Sequence, residues 1–351
     1  MKIFSKDLLR ALQTTAKAVT PKPVLPAYEC FRLKVSDGML GVSSSDGNMT
    51  LEACVPCEGE LSVLVPARNL LDYIKALPEC EVELEVSGGQ LDVKWANGHS
   101  SMPSRDISEW PEGDSEEHND TRVPLQVLKS AILHVINSCG NNELRPVMNG
   151  IYFDLDKGHC LVATDGHICA TFPFDVEGES FIMPACLASF IKDIDCKEEE
   201  AVIGAGRGII QFTCGNITAK ARKVEGRYPN YQGVFPQSSP NSLTIDRRSL
   251  IGALRRVSVC ASKTLPSIKI TLGDKVEIAS QDVDFSISAK EKVEASYDGS
   301  PMEIGFNCDI LLVMLNQMTS DTIEVGMAEN SRAAVFTGDG SRSLLMPVIL
   351  Q

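Results

Sequence analysis

Apolar positions recur with a helical period in six stretches of this chain, 6–19, 68–76, 122–138, 185–195, 246–258 and 307–318. In the first, Leu8, Leu12, Ala16 and Val19 share a face, and in the fifth, Leu250, Leu254 and Val257 do the same. The six form three pairs. Lys6-Asp7-Leu8-Leu9-Arg10-Ala11-Leu12 returns as Leu125-Gln126-Val127-Leu128-Lys129-Ser130-Ala131 and as Arg247-Arg248-Ser249-Leu250-Ile251-Gly252-Ala253, about 120 residues apart each time. A second line, Val65-Pro66-Ala67-Arg68-Asn69-Leu70-Leu71, is echoed by Met183-Pro184-Ala185-Cys186-Leu187 and Phe306-Asn307-Cys308-Asp309-Ile310-Leu311. Strand-like runs at 31–35, 151–155 and 268–272 keep the beat, as do acidic turns at Asp46, Asp165 and Asp282. Three kinds of element in one order make coincidence a poor explanation.

A period this long is not that of a solenoid, so each unit should carry its own core. The 351 residues suit three domains of roughly 100 to 150 residues each. Joints are expected in the polar, acidic approach to 119–122 and in the proline- and serine-rich 236–241, giving domains 1–120, 121–241 and 242–351. Glu81-Val82-Glu83-Leu84-Glu85-Val86 alternates, and Gly88-Gly89 turns the chain before Leu91-Asp92-Val93, a hairpin signal. Similar ribbons at 269–272, 276–279 and 323–326 make strands outnumber helices. The expected class is α+β, with two helices of roughly ten to fourteen residues and antiparallel sheet in each unit.

Composition narrows the function. The apolar content of 43% is that of a globular protein, and no window approaches the 18 apolar residues of a membrane span. The start lacks a signal-peptide core, so a cytoplasmic protein is expected, its 12 cysteines thiols rather than a disulfide framework. Cys54-Val55-Pro56-Cys57 has metal spacing but lacks a second pair and lies between strand-like runs, so neither metal nor cofactor is expected. Signature sequences of hydrolases, zinc proteases and P-loop enzymes are absent. Gly204-Ala205-Gly206-Arg207-Gly208 leads into a strand and reads as a hairpin turn. Asp165 and His167 could form an acid/base pair, but neighbours in a tight turn point apart and no nucleophile is near.

Net charge of -14 argues against a nucleic-acid partner until its distribution is considered. The helix-like stretches are together positive, and the acidic excess lies elsewhere. Arg10 and Lys17 project opposite the apolar face of the first helix, and Arg248 and Arg255 do so on the fifth. The middle unit offers uncharged Gln126, Ser130, His134 and Asn137 at those places. Solubilising charge is the plain alternative.

Five ordered segments carry a resemblance: 144–150 (Leu-Arg-Pro-Val-Met-Asn-Gly), 162–167 (Val-Ala-Thr-Asp-Gly-His), 224–231 (Val-Glu-Gly-Arg-Tyr-Pro-Asn-Tyr), 302–307 (Met-Glu-Ile-Gly-Phe-Asn) and 345–348 (Leu-Met-Pro-Val). With the threefold repeat, they make the chain similar, over its whole length, to the bacterial DNA polymerase III β subunit, the replicative sliding clamp. The resemblance implies a head-to-tail homodimer closed into a ring of six similar units, sheets outside and helices lining a hole for duplex DNA. It implies a non-catalytic processivity factor, partnered by the replicative polymerase, the clamp loader and other proteins bearing clamp-binding peptides. Binding by topology suits sparse phosphate contacts, since strong ones would stall sliding.

By position, the resemblance assigns Arg10, Lys22 and Arg68 to DNA; Lys17, Arg248 and Arg255 join them from helix-face geometry. It implies a groove for extended peptides made by Met148; by Thr164, Gly166, His167, Ile168 and Cys169; by Pro229, Gly233 and Val234; and by Leu344, Leu345, Met346, Pro347 and Val348. The family often has arginine where Ile168 and Gly233 stand, so a more open, more apolar entrance is expected. Ser100 and Met102 against Val259 and Cys260 would form the dimer seam. An enzyme built on Asp165 and His167, or a ring-shaped scaffold that does not meet DNA, are the other readings.

Overall fold

The computed structural model describes residues 1–21, 23–111 and 116–350. They form two compact units, one of residues 1–126 with 189–223, the other of 127–188 with 224–351. Every strand pairing is antiparallel, as the alternating ribbons predict.

In the first unit, α1 (Ser5–Thr15) buries Leu8, Ala11, Leu12 and Thr15, the i, i+3, i+4, i+7 stripe, and packs on α2 (Ala67–Ala76), which buries Leu70 and Ile74. Each fully buried leucine or isoleucine contributes roughly 1.5–3 kcal/mol. The Ser44 hydroxyl donates to the Thr15 carbonyl and closes the end of α1. An eight-stranded sheet runs in the order Ser62–Pro66, Cys30–Ser36, Met39–Ser45, Met49–Pro56, Ile217–Arg222, Ile209–Cys214, Glu200–Ala205 and Asn119–Pro124. A four-stranded sheet runs Lys2–Phe4, Glu81–Ser87, Gln90–Trp95, Gly98–Pro103. Gly88 and Gly89 have φ of 58° and 77° between Ser87 and its partner Gln90, a turn that L side chains adopt poorly.

α3 (Leu125–Val135) and α4 (Ala185–Lys192) carry the chain between the units, and α4, at 8 residues, is shorter than expected. In the second unit, α5 (Arg247–Ser258) starts at the Asp246 carboxylate, which accepts from the Ser249 amide at 2.7 Å. It packs on α6 (Cys308–Gln317), capped by Asn307, which accepts from the Asp309 and Ile310 amides. A nine-stranded sheet runs Phe181–Pro184, Gly150–Asp154, Cys160–Thr164, Ile168–Pro173, Ser341–Leu345, Ala334–Gly338, Thr322–Met327, Asn241–Asp246, Ala295–Asp298. A four-stranded sheet runs Ile287–Val293, Val276–Asp282, Ser267–Leu272, Met302–Asn307.

The repeat extends to single hydrogen bonds. Asp46 accepts from the amides of Asn48 and Met49, Asp165 from those of His167 and Ile168, and Asp282 from those of Asp284 and Phe285. Each aspartate thus closes the same turn with its own carboxylate. Ser280 donates to the Val257 carbonyl at the end of α5 as Ser44 does for α1.

The sheets are less local than the sequence suggests. Met49–Pro56 joins Ile217–Arg222 edge to edge, and Ile168–Pro173 joins Ser341–Leu345, so the middle repeat divides between the two units. Among the described residues, no helix is long and apolar enough to cross a membrane.

Candidate DNA-facing helices, peptide groove and dimer seam

The cations expected on α1 and α5 are exposed, and each has a partner within reach. Arg10 lies 3.7 Å from the Asp195 carboxylate. Lys17 is in the 3-10 turn that continues α1, where its Nζ donates to the Asp193 carbonyl at 3.2 Å and sits 5.5 Å from the Phe190 ring centre. Arg68 projects from α2, 3.8 Å from Asp72. Arg248 is 3.5 Å from Asp321, and Arg255 is 3.5 Å from the Asn316 side chain. Such exposed pairs hold little energy, about 0–1 kcal/mol, so the cations can exchange them for phosphates. Lys22 lies outside the described residues.

Two neighbours of these cations behave differently. Arg247 turns inward and donates to the carbonyls of Ser320 and Leu315, at 2.6 and 3.2 Å, serving the end of α6. Arg256 donates to both Glu291 carboxylate oxygens, from Nε at 2.9 Å and from Nη2 at 2.5 Å, and this bond keeps the Glu291 carboxyl below its ordinary value. On α3 and the 3-10 turn after it, Gln126, Ser130 and Asn137 are exposed, but His134 is not. It is 5% exposed, stacked 4.2 Å from Phe172, with Nδ1 2.8 Å from the Ser130 carbonyl. The expected outward His134 is therefore corrected: an aromatic partner outweighs its polarity.

The structure brings the groove segments together in the second unit. Val162, Cys169, Ile182, Tyr228, Tyr231 and Leu344 form one apolar cluster, with Val147, Tyr152 and Phe235 packed against it. Tyr228 stacks on Tyr152 at 4.8 Å, and the Tyr231 hydroxyl donates to the buried Asp154 carboxylate at 2.6 Å. Burial first, and then that hydrogen bond, push the Tyr231 hydroxyl far above its ordinary pKa. The chain after Leu345 is laid down by backbone bonds, Met346 to the His167 carbonyl and Val348 to that of Gly305, both 2.9 Å. The Thr164 hydroxyl donates to the Ile168 carbonyl at 2.6 Å, and Gly166 turns at φ 95°.

Exposure sorts the predicted lining. Gly166, His167, Gly233, Val234 and Met346 are exposed, and Met148, Pro229, Pro347 and Val348 are half-buried. Cys169 and Leu344 belong to the buried apolar cluster, and burial pushes the Cys169 thiol up to about 12, so it packs as an apolar group. Ile168 and Leu345, paired across the two strands, are 3% and 1% exposed and belong to the core around α5 and α6. Side chains alternate across a strand, so Ile168 and Cys169 cannot both face the groove. The expectation that Ile168 opens the rim is corrected accordingly. Nor is the neighbourhood uncharged: the Arg342 guanidinium lies 4.7 Å from the Phe235 ring centre, and a Cβ on Gly166 would lie 3.6 Å from Arg145 Nη1.

At the predicted seam, Val259 is 78% exposed and Cys260 half-buried. Ser100 is half-buried, and Met102 is 5% exposed, its side chain part of the core of its own unit. What the strand Gly98–Pro103 offers is its backbone, since it is the last strand of its sheet. Ile287–Val293 is likewise last, and Val283, Phe285 and Ile287 are exposed beside it, Phe285 by 75%. The sequence reading missed these three; large apolar residues inside the polar turn 282–287 were the available signal.

The other candidate chemistry dissolves into structure. The Asp165 carboxylate is engaged by its own turn, and His167 is exposed beside it. Gly206 is in a hairpin turn, and the amides of Gly208 and Ile209 donate to the Glu116 carboxylate rather than facing an open cradle. Among the described residues, no group of three or more His, Cys, Asp or Glu is placed to hold a metal. A hollow of about 690 Å³ bounded by 35–38, 59–62 and 84–86 includes Asp37, Glu60 and Glu85 and none of the predicted site residues.

Three family models match in order along the chain. They are the N-terminal domain of the DNA polymerase III beta subunit over residues 1–114, its central domain over 122–230 and its C-terminal domain over 232–349. The beta sliding clamp of Vibrio cholerae is 26% identical, over 99% of each chain. That of Staphylococcus aureus is also 26% identical, over 96% of each. Among solved structures, a DNA polymerase sliding clamp from Pseudomonas aeruginosa is 25% identical with a TM-score of 0.90, and one from Bacillus subtilis is 20% identical with a TM-score of 0.93. Both comparisons cover 100% of this chain and 99% of the other. With all three domain models matched in sequence, the chain belongs to the family of the bacterial DNA polymerase III beta subunit, the beta sliding clamp.

Proposed function

We propose that two copies of this chain close head to tail around duplex DNA by pairing Gly98–Pro103 of one with Ile287–Val293 of the other. The observation that carries this reading is a pattern in the sheets. Twice within the chain, the strand that follows an aspartate turn is joined by a strand from the next repeat, Met49–Pro56 by Ile217–Arg222 and Ile168–Pro173 by Ser341–Leu345. The third such strand, Ile287–Val293, ends its sheet, and the strand of the first repeat that would correspond to Ile217–Arg222, Gly98–Pro103, ends another. Two chains arranged head to tail can each supply one of these edges to the other. Ser100 and Met102 would then contribute through backbone, and Val259, Cys260, Val283 and Phe285 through side chains.

The protein is a DNA sliding clamp, a non-catalytic processivity factor. Repeats 1–120, 121–241 and 242–351 serve as its three domains in this reading. Arg10, Lys17, Lys22, Arg68, Arg248 and Arg255 meet phosphates without reading bases, which allows sliding. Peptides from the replicative polymerase, the clamp loader and other partners take the groove between the 164–167 turn, Pro229–Val234 and Met346–Val348. This work belongs in the cytoplasm. The test is loading by the cognate loader onto primed circular DNA. Retention on the circle and loss on linearisation are expected, and retention after linearisation would contradict topological binding.

A further inference from the structure

We propose that Cys196 and Cys214 are a disulfide-forming pair, a reversible oxidation site for peroxide or small-molecule disulfides. Their sulfurs lie 2.8 Å apart, and Cys196 Sγ is also 3.6 Å from the Cys214 carbonyl. A disulfide bond is ~2.05 Å long, so under an ångström of movement joins them. Cys214 ends the strand Ile209–Cys214 and is buried at 1% exposure, while Cys196 is half-buried in the segment between α4 and Glu200–Ala205.

Both sides of the contact are held. The turn after Cys214 is fixed to the neighbouring strand, with the Asn216 side chain donating to the Cys54 carbonyl at 2.7 Å and the Cys54 amide to the Asn216 carbonyl at 2.9 Å. Gly215 turns there at φ 57°, and a Cβ on it would come 2.9 Å from Glu198 Cγ and 3.7 Å from Cys196 Sγ. The glycine is what lets the 193–199 segment close on the strand end. On its other side, that segment supplies the Asp193 carbonyl to Lys17 and the Asp195 carboxylate to Arg10. The bond would therefore pin the segment that partners both cations, and the site stands whether or not those cations meet DNA.

The accessible Cys196 is the attacking thiol and the buried Cys214 the resolving one. With hydrogen peroxide, the Cys196 thiolate takes one oxygen to become a sulfenic acid and water leaves; Cys214 sulfur then displaces a second water as the S–S bond forms. Two thiols are oxidised and one peroxide is reduced to two waters. With oxidised glutathione, the same two steps pass through a mixed disulfide and release two glutathione thiols.

The test treats the full-length protein with one equivalent of hydrogen peroxide, then counts thiols, maps peptides and measures amide exchange. Two thiols per chain should disappear, the mass should fall by two hydrogens, one peptide should link Cys196 to Cys214, and dithiothreitol should restore both. Exchange across 193–199 should slow several-fold. Cys214 is buried, so the control is placed at Cys196, and a folded Cys196→Ser protein should form no such link. Oxidation of Cys196 to a terminal acid with Cys214 left as a thiol would overturn the proposal, as would a link between other cysteines.

Discussion

The two seams closed within the chain and the one left open use the same parts with different neighbours. At residues 46–49 and 165–168, an aspartate turn starts a strand whose outer edge is taken by a strand from the following repeat. At residues 282–287, the same kind of turn starts a strand that, among the described residues, ends its sheet, and Val283 and Phe285 stand exposed. Where an edge is covered in-chain, the turn beside it is left at the surface, and Gly166 and His167, exposed in one such turn, belong to the proposed groove. Where it is not covered, apolar side chains and backbone remain available for a second copy.

The strongest way to break this comparison is to spoil the open edge alone. Val259→Glu with Phe285→Glu changes two exposed side chains, so the fold should survive while the dimer weakens at least 100-fold, roughly 3 kcal/mol. Sedimentation at micromolar concentration would read this, and an unchanged dimer would place the contact elsewhere. Next in size is replacement of Arg10, Lys17, Arg248 and Arg255 by glutamate. All four are exposed and their losses to stability should stay within about 0.5 kcal/mol, yet retention on circular DNA should fall about tenfold and its salt slope flatten. Salt-release curves on closed circles measure both.

Smaller effects test the closed seam beside the groove. Met346→Ala, or truncation before Met346, should weaken peptides from the cognate polymerase by about tenfold, roughly 1–2 kcal/mol, in a fluorescence titration. Truncation one residue earlier should instead damage the protein itself, because Leu345 is core and deleting such a side chain costs about 2–5 kcal/mol. The smallest expected effect is at Asp339, in the turn between the strands Ala334–Gly338 and Ser341–Leu345. Burial opposes its charge, but hydrogen bonds from Ser320 and Thr319 prevail and hold its carboxyl at about 2. A depressed carboxyl stabilises the fold above its unfolded pKa of about 3.9 and ceases to as pH falls through about 2. Since the residue is exposed, the gain is on the order of 1 kcal/mol, and denaturant melts of wild type and Asp339→Asn should converge across that window.

What the sequence disclosed and what it withheld follow from range. The helices α1 and α5 were legible because their stripes and their outward arginines are set within four residues, and Gly88-Gly89 named its own hairpin. The seams were not, since the alternation of Ile217–Arg222 announces a strand without saying that it pairs with Met49–Pro56. His134 was misplaced because a polar spacing carries no sign of Phe172. The groove is expected as a set of contiguous segments, whereas a strand gives only alternate residues to one face, which is why Ile168 packs into the core around α5 and α6 while Cys169 faces the other way.

A chain whose strand edges at 98–103 and 287–293 both end their sheets, and pair between copies as proposed, is in polymer language a bifunctional monomer. Such monomers undergo step growth, and whether they yield filaments or cycles depends on whether the rotation between successive copies closes. When the first contact brings the remaining two ends together, the second becomes intramolecular and its effective concentration can reach the millimolar range. Cyclisation then terminates growth and leaves no reactive end. A clamp of this kind protects itself from fibre formation by the same closure that traps its cargo.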